Sequence, residues 1–121
     1  MMMWEGIDKR KFPRVNYKCL IKVAENGHDE AFAAYTQNIG AGGICVLLDK
    51  SVELFKSAVL EITLPDSRDP VKCKGTVVWV IRRRDYRHSD QSEYDTGIEF
   101  TNISSEDRNR IATLVGDILT A

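Results

Sequence analysis

Arg10 and Arg14 form an Arg-x-x-x-Arg pair inside the basic run Lys9-Arg10-Lys11-Phe12-Pro13-Arg14. A guanidinium is a planar fork of donors. Two of them on one segment can grip phosphate oxygens or the O6/N7 edge of a guanine. Pro13 has no backbone N–H and disfavours helix at Phe12, so the run is extended or turning. On charge alone the same run reads as a solvated basic tail. A second constellation is Asn38-Ile39-Gly40-Ala41-Gly42-Gly43. Its glycines allow a tight turn and the close approach of a flat ligand. Asn38 adds a side-chain donor and acceptor at the turn's edge. On its own, that segment also reads as an ordinary hairpin turn.

Other chemistry finds little support. There is no Gly-x-Ser-x-Gly elbow, no phosphate-binding Walker loop and no His-Glu-x-x-His helix. The chain is therefore not expected to be an enzyme. Cys19, Cys45 and Cys73 lie far apart in sequence, and His28 and His88 stand alone, so no metal site is expected. Cys19 and Cys73 fall in alternating apolar runs and read as core thiols suited to a reducing cytoplasm. The carboxylates sit in turns and on polar faces, where solvated side chains are the rule.

The elements that would position these residues follow from composition and period. The 121 residues, 43% hydrophobic and 29% charged, fit one small domain that can hold a core without disulfides. The formal net charge of −1 argues against wholesale attraction to nucleic acid or membranes. No apolar run approaches the ~20 residues of a membrane helix, and the N-terminus has no secretory pattern. Tyr17, Cys19, Ile21 and Val23 alternate with polar residues and predict a strand. Further strands are expected at 33–38, 44–48, 60–64, 71–82 and 96–100. On the long 71–82 strand, Val71, Cys73, Gly75, Val77, Trp79 and Ile81 share one parity, which turns Trp79 inward. Residues 82–95, with Arg82, Arg83, Arg84 and Arg87, read as a charged loop or hairpin tip. Near the end the period becomes helical at Ile111, Leu114, Val115, Ile118 and Leu119, behind a Ser104/Asp107 capping pair. The fold class is all-β with one helix: a six-stranded antiparallel barrel with a C-terminal amphipathic helix. The expected organisation is a tail over 1–8 and one domain over 9–121, divided into an arm (9–15), the barrel (16–101) and the helix (104–120).

Taken in order, the Arg-x-x-x-Arg arm, the Asn-x-x-x-x-Gly turn, Gly75-Thr-Val-Val-Trp79, Gly97-Ile-Glu-Phe100 and the Ser-Ser-Glu-Asp helix opening resemble the PilZ domain family, over roughly residues 9–119. The resemblance implies a PilZ-type barrel that binds the bacterial second messenger cyclic di-GMP. Arg10 and Arg14 match the family's arginine pair, Asn38 its Asp/Asn on guanine, and Gly43 the last glycine of its second motif. Gly40 stands where that motif has serine. A lost neutral hydrogen bond is worth about 0.5–1.5 kcal/mol and added backbone freedom about 0.5–1 kcal/mol. The sum, about 1–2.5 kcal/mol, is a roughly 5- to 70-fold weakening that serine at position 40 is expected to restore. The implied function is a cytoplasmic bacterial receptor or adaptor that signals by ligand-induced ordering of its N-terminal arm, with no cofactor other than that ligand. The implied partners are cyclic di-GMP and an effector protein, or a second copy of the chain, with neither nucleic acid nor membrane insertion. The alternative is a PilZ-like interaction domain that has lost nucleotide binding, with Gly40 as its mark. A single-strand nucleic-acid binder is disfavoured by the net charge.

Overall fold

The computed structural model describes residues 12–25, 31–84 and 92–121. Arg10, the expected 1–8 tail, the turn centre at 26–29 and the hairpin tip at 85–91 lie outside the described residues. The chain forms β1 (Arg14–Asn16), β2 (Leu20–Glu25), β3 (Phe32–Gly40), β4 (Gly43–Leu48), β5 (Ser57–Thr63), β6 (Val71–Arg84), β7 (Ser92–Asn102) and α1 (Ser105–Thr120). The sheet order β1-β3-β2-β5-β6-β7-β4, with a further β3–β4 pairing, closes β2 to β7 into a six-stranded antiparallel barrel. Closure removes the exposed strand edges that an open sheet would present. The three-residue β1 lies outside this ring.

Period-two alternation explains which face each strand buries. Ile21 and Val23 of β2, Leu60 and Ile62 of β5, and Val71 and Val77 of β6 are buried. So are Ile44 and Val46 of β4 and Ile98 of β7. Lys22, Lys72 and Lys74 face outward between them. The strands outrun the segments expected from sequence. β6 and β7 pair as far as Arg84↔Ser92, so much of the expected 82–95 loop is a paired ribbon.

The strand expected from Tyr17 to Val23 is broken. Tyr17, Lys18 and Cys19 leave the ladder between β1 and β2, which share one edge of β3 in succession. Thr36 repairs the gap. Its N–H donates to the Cys19 carbonyl at 2.9 Å. Its hydroxyl accepts from the Cys19 N–H at 2.8 Å and donates to the Tyr17 carbonyl at 2.7 Å. Backbone groups that would otherwise be orphaned by the break are thereby satisfied, and this is the reason a threonine is buried here.

Helix α1 begins as its sequence prescribes. The Ser104 hydroxyl accepts from the Asp107 N–H at 3.1 Å, and Glu106 and Asp107 lie in the first turn, where the helix dipole favours acidic groups. Ile111 and Val115 are buried against the barrel, flanked by Leu114 and Ile118. Leu119, expected on the same apolar stripe, is 60% exposed, although Ile118 beside it packs against the core. A polar clamp fixes the helix to the β5–β6 turn. Arg110 donates to both Asp66 oxygens at 2.9 and 3.0 Å, to the Asp107 carboxylate at 3.1 Å and to the Asp69 carbonyl at 2.7 Å. Its side chain is only 8% exposed, so the fork is well ordered. These bonds hold the Asp66 carboxyl below the usual carboxylate range, chiefly through hydrogen bonding from Arg110.

Candidate functional site

Four of the five residues singled out from sequence meet on the outer face of the barrel; the fifth, Arg10, lies outside the described residues. The β3–β4 hairpin turns at Ala41-Gly42, between the paired residues Gly40 and Gly43. β1 runs antiparallel to the end of β3, pairing Arg14 with Gly40, Val15 with Ile39 and Asn16 with Asn38. Ile39 and Val15 point into the core. Alternation therefore sends Arg14, Asn16, Asn38 and Gly40 to the outer side. Arg14 was expected in a loose arm but is the first residue of a paired strand.

Arg14 is the centre of this face. It donates from Nη1 to the Asn38 Oδ1 at 3.3 Å. A Cβ added at Gly43 would stand 2.9 Å from the Arg14 Nη2 and would also strike the Ile98 carbonyl oxygen. Glycine at 43 is thus what lets the guanidinium lie against the hairpin. A Cβ at Gly40 would stand 2.5 Å from the Pro13 carbonyl oxygen and 2.8 Å from the Arg14 Cγ. The expected reason for Gly40, backbone freedom in the turn, is therefore incomplete. Gly40 is the floor on which β1 rests.

Trp79 is a correction to the sequence reading. The β6–β7 register shifts between Val77 and Trp79, so Val78 is an extra residue and parity reverses beyond it. Trp79 pairs with Gly97, and a Cβ at Gly97 would fall within the Trp79 ring system. Gly97 is next to the inward Ile98 and so faces out. Trp79 accordingly lies half-buried on the outer face, not in the core. Its ring sits 5.8 Å from the Arg14 guanidinium carbon, within cation–π range. Strict alternation hid this, but the Trp79 and Gly97 motifs were both visible in the sequence; their pairing across two strands was the missing signal. Phe12 was also missed as a site residue. Its ring lies 2.8 Å from where a Gly42 Cβ would be.

The assembled face offers a planar cation, an amide with both donor and acceptor, a glycine-floored hairpin and an indole surface. That set complements a flat, anionic, hydrogen-bonding ligand. Among the described residues, no group of three or more His, Cys, Asp or Glu side chains could hold a metal ion. No described helix is long and apolar enough to cross a membrane.

Comparison with known proteins bears on the fold. The fold superposes on the Bacillus subtilis inhibitor of motility MotI (DgrA) with a TM-score of 0.76 at 20% identity, covering 93% of this chain and 52% of that one. It superposes on MrkH of K. pneumonia, solved as a complex with cyclic di-GMP, with a TM-score of 0.71 at 17% identity, covering 93% and 52%. The PilZ domain of YcgR from Escherichia coli, solved with cyclic di-GMP, gives a TM-score of 0.70 at 10% identity, covering 90% of each chain. The chain thus spans about half the length of MotI and MrkH. No curated protein matches it in sequence. The PilZ domain model matches residues 8–117, nearly the whole chain, and with the six-stranded barrel this chain belongs to the PilZ domain family, whose members are binding and receptor proteins.

Proposed function

We propose that this protein is a cytoplasmic bacterial receptor for cyclic di-GMP and carries out no catalysis. The observation that carries the reading is the convergence of Arg14, Asn38 and Gly43, with the Arg14–Asn38 hydrogen bond joining the two sequence motifs. Cyclic di-GMP has two phosphates and two guanines. Arg14, together with Arg10 from the same arm, grips phosphate oxygens and a guanine edge. Asn38 reads the guanine through its amide, and Gly43 lets the ligand and the guanidinium pass close to the backbone. The exposed part of the Trp79 ring supplies a stacking surface beside Arg14. Arm and ligand then order together, and the ordered arm is presented to an effector protein.

A second reading is favoured by Gly40. The motif hydroxyl is missing, and the Pro13 carbonyl crowds the place where its Cβ would stand. On that reading the domain docks partners without nucleotide. Calorimetric titration with cyclic di-GMP at about 0.15 M salt decides between them, with GTP and cyclic di-AMP as controls. Saturable, selective heat that is lost in Arg14→Ala, with the fold retained, supports the receptor. Absence of heat and of any thermal shift in the parent protein supports the second reading.

A further inference from the structure

The receptor reading leaves unexplained how a three-residue strand holds Arg14 in place, and the answer lies at Phe12. Phe12 precedes a proline, which keeps it out of a helix, and the chain bends at Phe12 before β1 begins at Arg14. The ring lies on Gly42, where a Cβ would stand 2.8 Å from its Cδ2. The Arg108 guanidinium carbon of α1 lies 5.2 Å from the centroid of the same ring. The Arg108 Nε is removed from solvent and has no hydrogen-bond partner among the described residues, so the aromatic face is the contact its geometry provides. Pro13 between them has its carbonyl over Gly40. Gly40, Gly42 and Gly43 therefore accept, in turn, the backbone of Pro13, the ring of Phe12 and the guanidinium of Arg14. Gly43 is the glycine of the family motif. Gly40 and Gly42 are explained by the segment that lies on them.

We propose that Phe12, in contact with Gly42 and Arg108, is a positioning residue that presets Arg14 for cyclic di-GMP and ties the ligand face to α1. The inference rests on the receptor reading for its ligand, but its structural half does not depend on the ligand at all. β1 is held by its pairs with β3 and by the Phe12 contact, and any ligand-driven ordering of the arm reaches the helix through the Phe12–Arg108 contact.

The test compares the full chain with Phe12→Ala, Phe12→Tyr and Gly42→Ala. Amide hydrogen exchange is read without ligand, and cyclic di-GMP affinity is read by calorimetry. Phe12→Ala is expected to speed exchange at residues 14–16 and in the first turns of α1, and to weaken binding roughly 10- to 100-fold, the scale of a charge-assisted contact no longer held in place. Phe12→Tyr, which keeps the ring, is expected to restore both. Gly42→Ala displaces the ring while leaving Arg108 unaltered, and should reproduce the faster exchange at residues 14–16. Unchanged exchange in Phe12→Ala overturns the proposal. Weakened binding with unchanged exchange also overturns it, since Phe12 would then touch the ligand and not position Arg14. If the parent protein binds no cyclic di-GMP, the receptor reading fails, while the exchange comparison still judges the seat.

Discussion

Placing serine at position 40 sets two effects against each other. The hydroxyl and the stiffer backbone would restore about 1–2.5 kcal/mol of ligand binding if the rest of the face stayed still. The face cannot stay still. The new Cβ would be 2.5 Å from the Pro13 carbonyl oxygen and 2.8 Å from the Arg14 Cγ. The first of these is backbone and has no rotamer to escape into. Overpacking of this kind costs about 1–3 kcal/mol. Relief comes only if β1 lifts, and lifting weakens the charged Arg14–Asn38 bond, a class worth about 1.5–3 kcal/mol. Setting mid-range values against each other leaves roughly 2.5 kcal/mol against binding, or about 70-fold weaker affinity. Gly40→Ser should therefore bind cyclic di-GMP less tightly than the parent and unfold a few degrees earlier, on the order of 2–8 °C per kcal/mol for domains of this size range. Calorimetric titration with a parallel thermal melt measures both. Binding fivefold tighter than the parent, with an unchanged melting temperature, would refute the steric argument and restore the expectation drawn from the motif alone.

Three further outcomes follow from the packing. Gly97→Ala drives a methyl group into the space of the Trp79 ring, so it should displace the indole from Arg14, red-shift its emission in a Trp4→Phe background and destabilise the fold by about 1–3 kcal/mol; unchanged emission would count against the stacked pair. Asp66 has its carboxyl lowered in the fold by Arg110, so its stabilising effect is full above the usual carboxylate value of about 3.9 and is lost as pH falls through the lowered folded value. The stability gap between parent and Asp66→Asn, measured by urea unfolding, should thus close at acid pH, and a gap that does not vary with pH would contradict the clamp. Burial, aided by Asp107, pushes the Cys73 thiol up to about 12, so it stays protonated in the fold well above the ordinary thiol range. The stability this confers is present below the unfolded value and declines as pH rises from about 8.5 towards the folded one; Ellman's reagent should react with Cys73 only on unfolding, and rapid native-state labelling at pH 8 would show the site to be open.

Where a strand obeys plain alternation, its residues disclose its place. Leu60 and Ile62, Val71 and Cys73, and Ile98 and Phe100 turned inward as their parity required. Ser104 and the spacing of Ile111 and Val115 marked the helix and its buried side. Two departures were not legible, each for its own reason. Val78 is one residue too many for its ladder and carries Trp79 to the outside. Tyr17 to Cys19 keep the alternation of a strand while leaving the ladder, since a hydroxyl on another strand, Thr36, takes over the bonding. The candidate site was legible in Arg14, Asn38 and Gly43 through the ordered set of motifs, since by type alone the same residues also suit a solvated tail and an ordinary turn. Phe12 and Gly42 were not, because their meaning lies in a contact between segments thirty residues apart in sequence.

The interruption at Tyr17–Cys19 also decides how the molecule responds to force. Because β1 and β2 occupy successive stretches of the same edge of β3, tension on the N-terminal side peels the three pairs of β1 and then meets the buried Thr36 bonds. The ring closes through β2, so those three pairs open without parting any seam of the barrel. Opening is thereby confined to a short unit of low local stability. Lifting β1 withdraws Val15 from the core, while the six-stranded ring beneath stays closed.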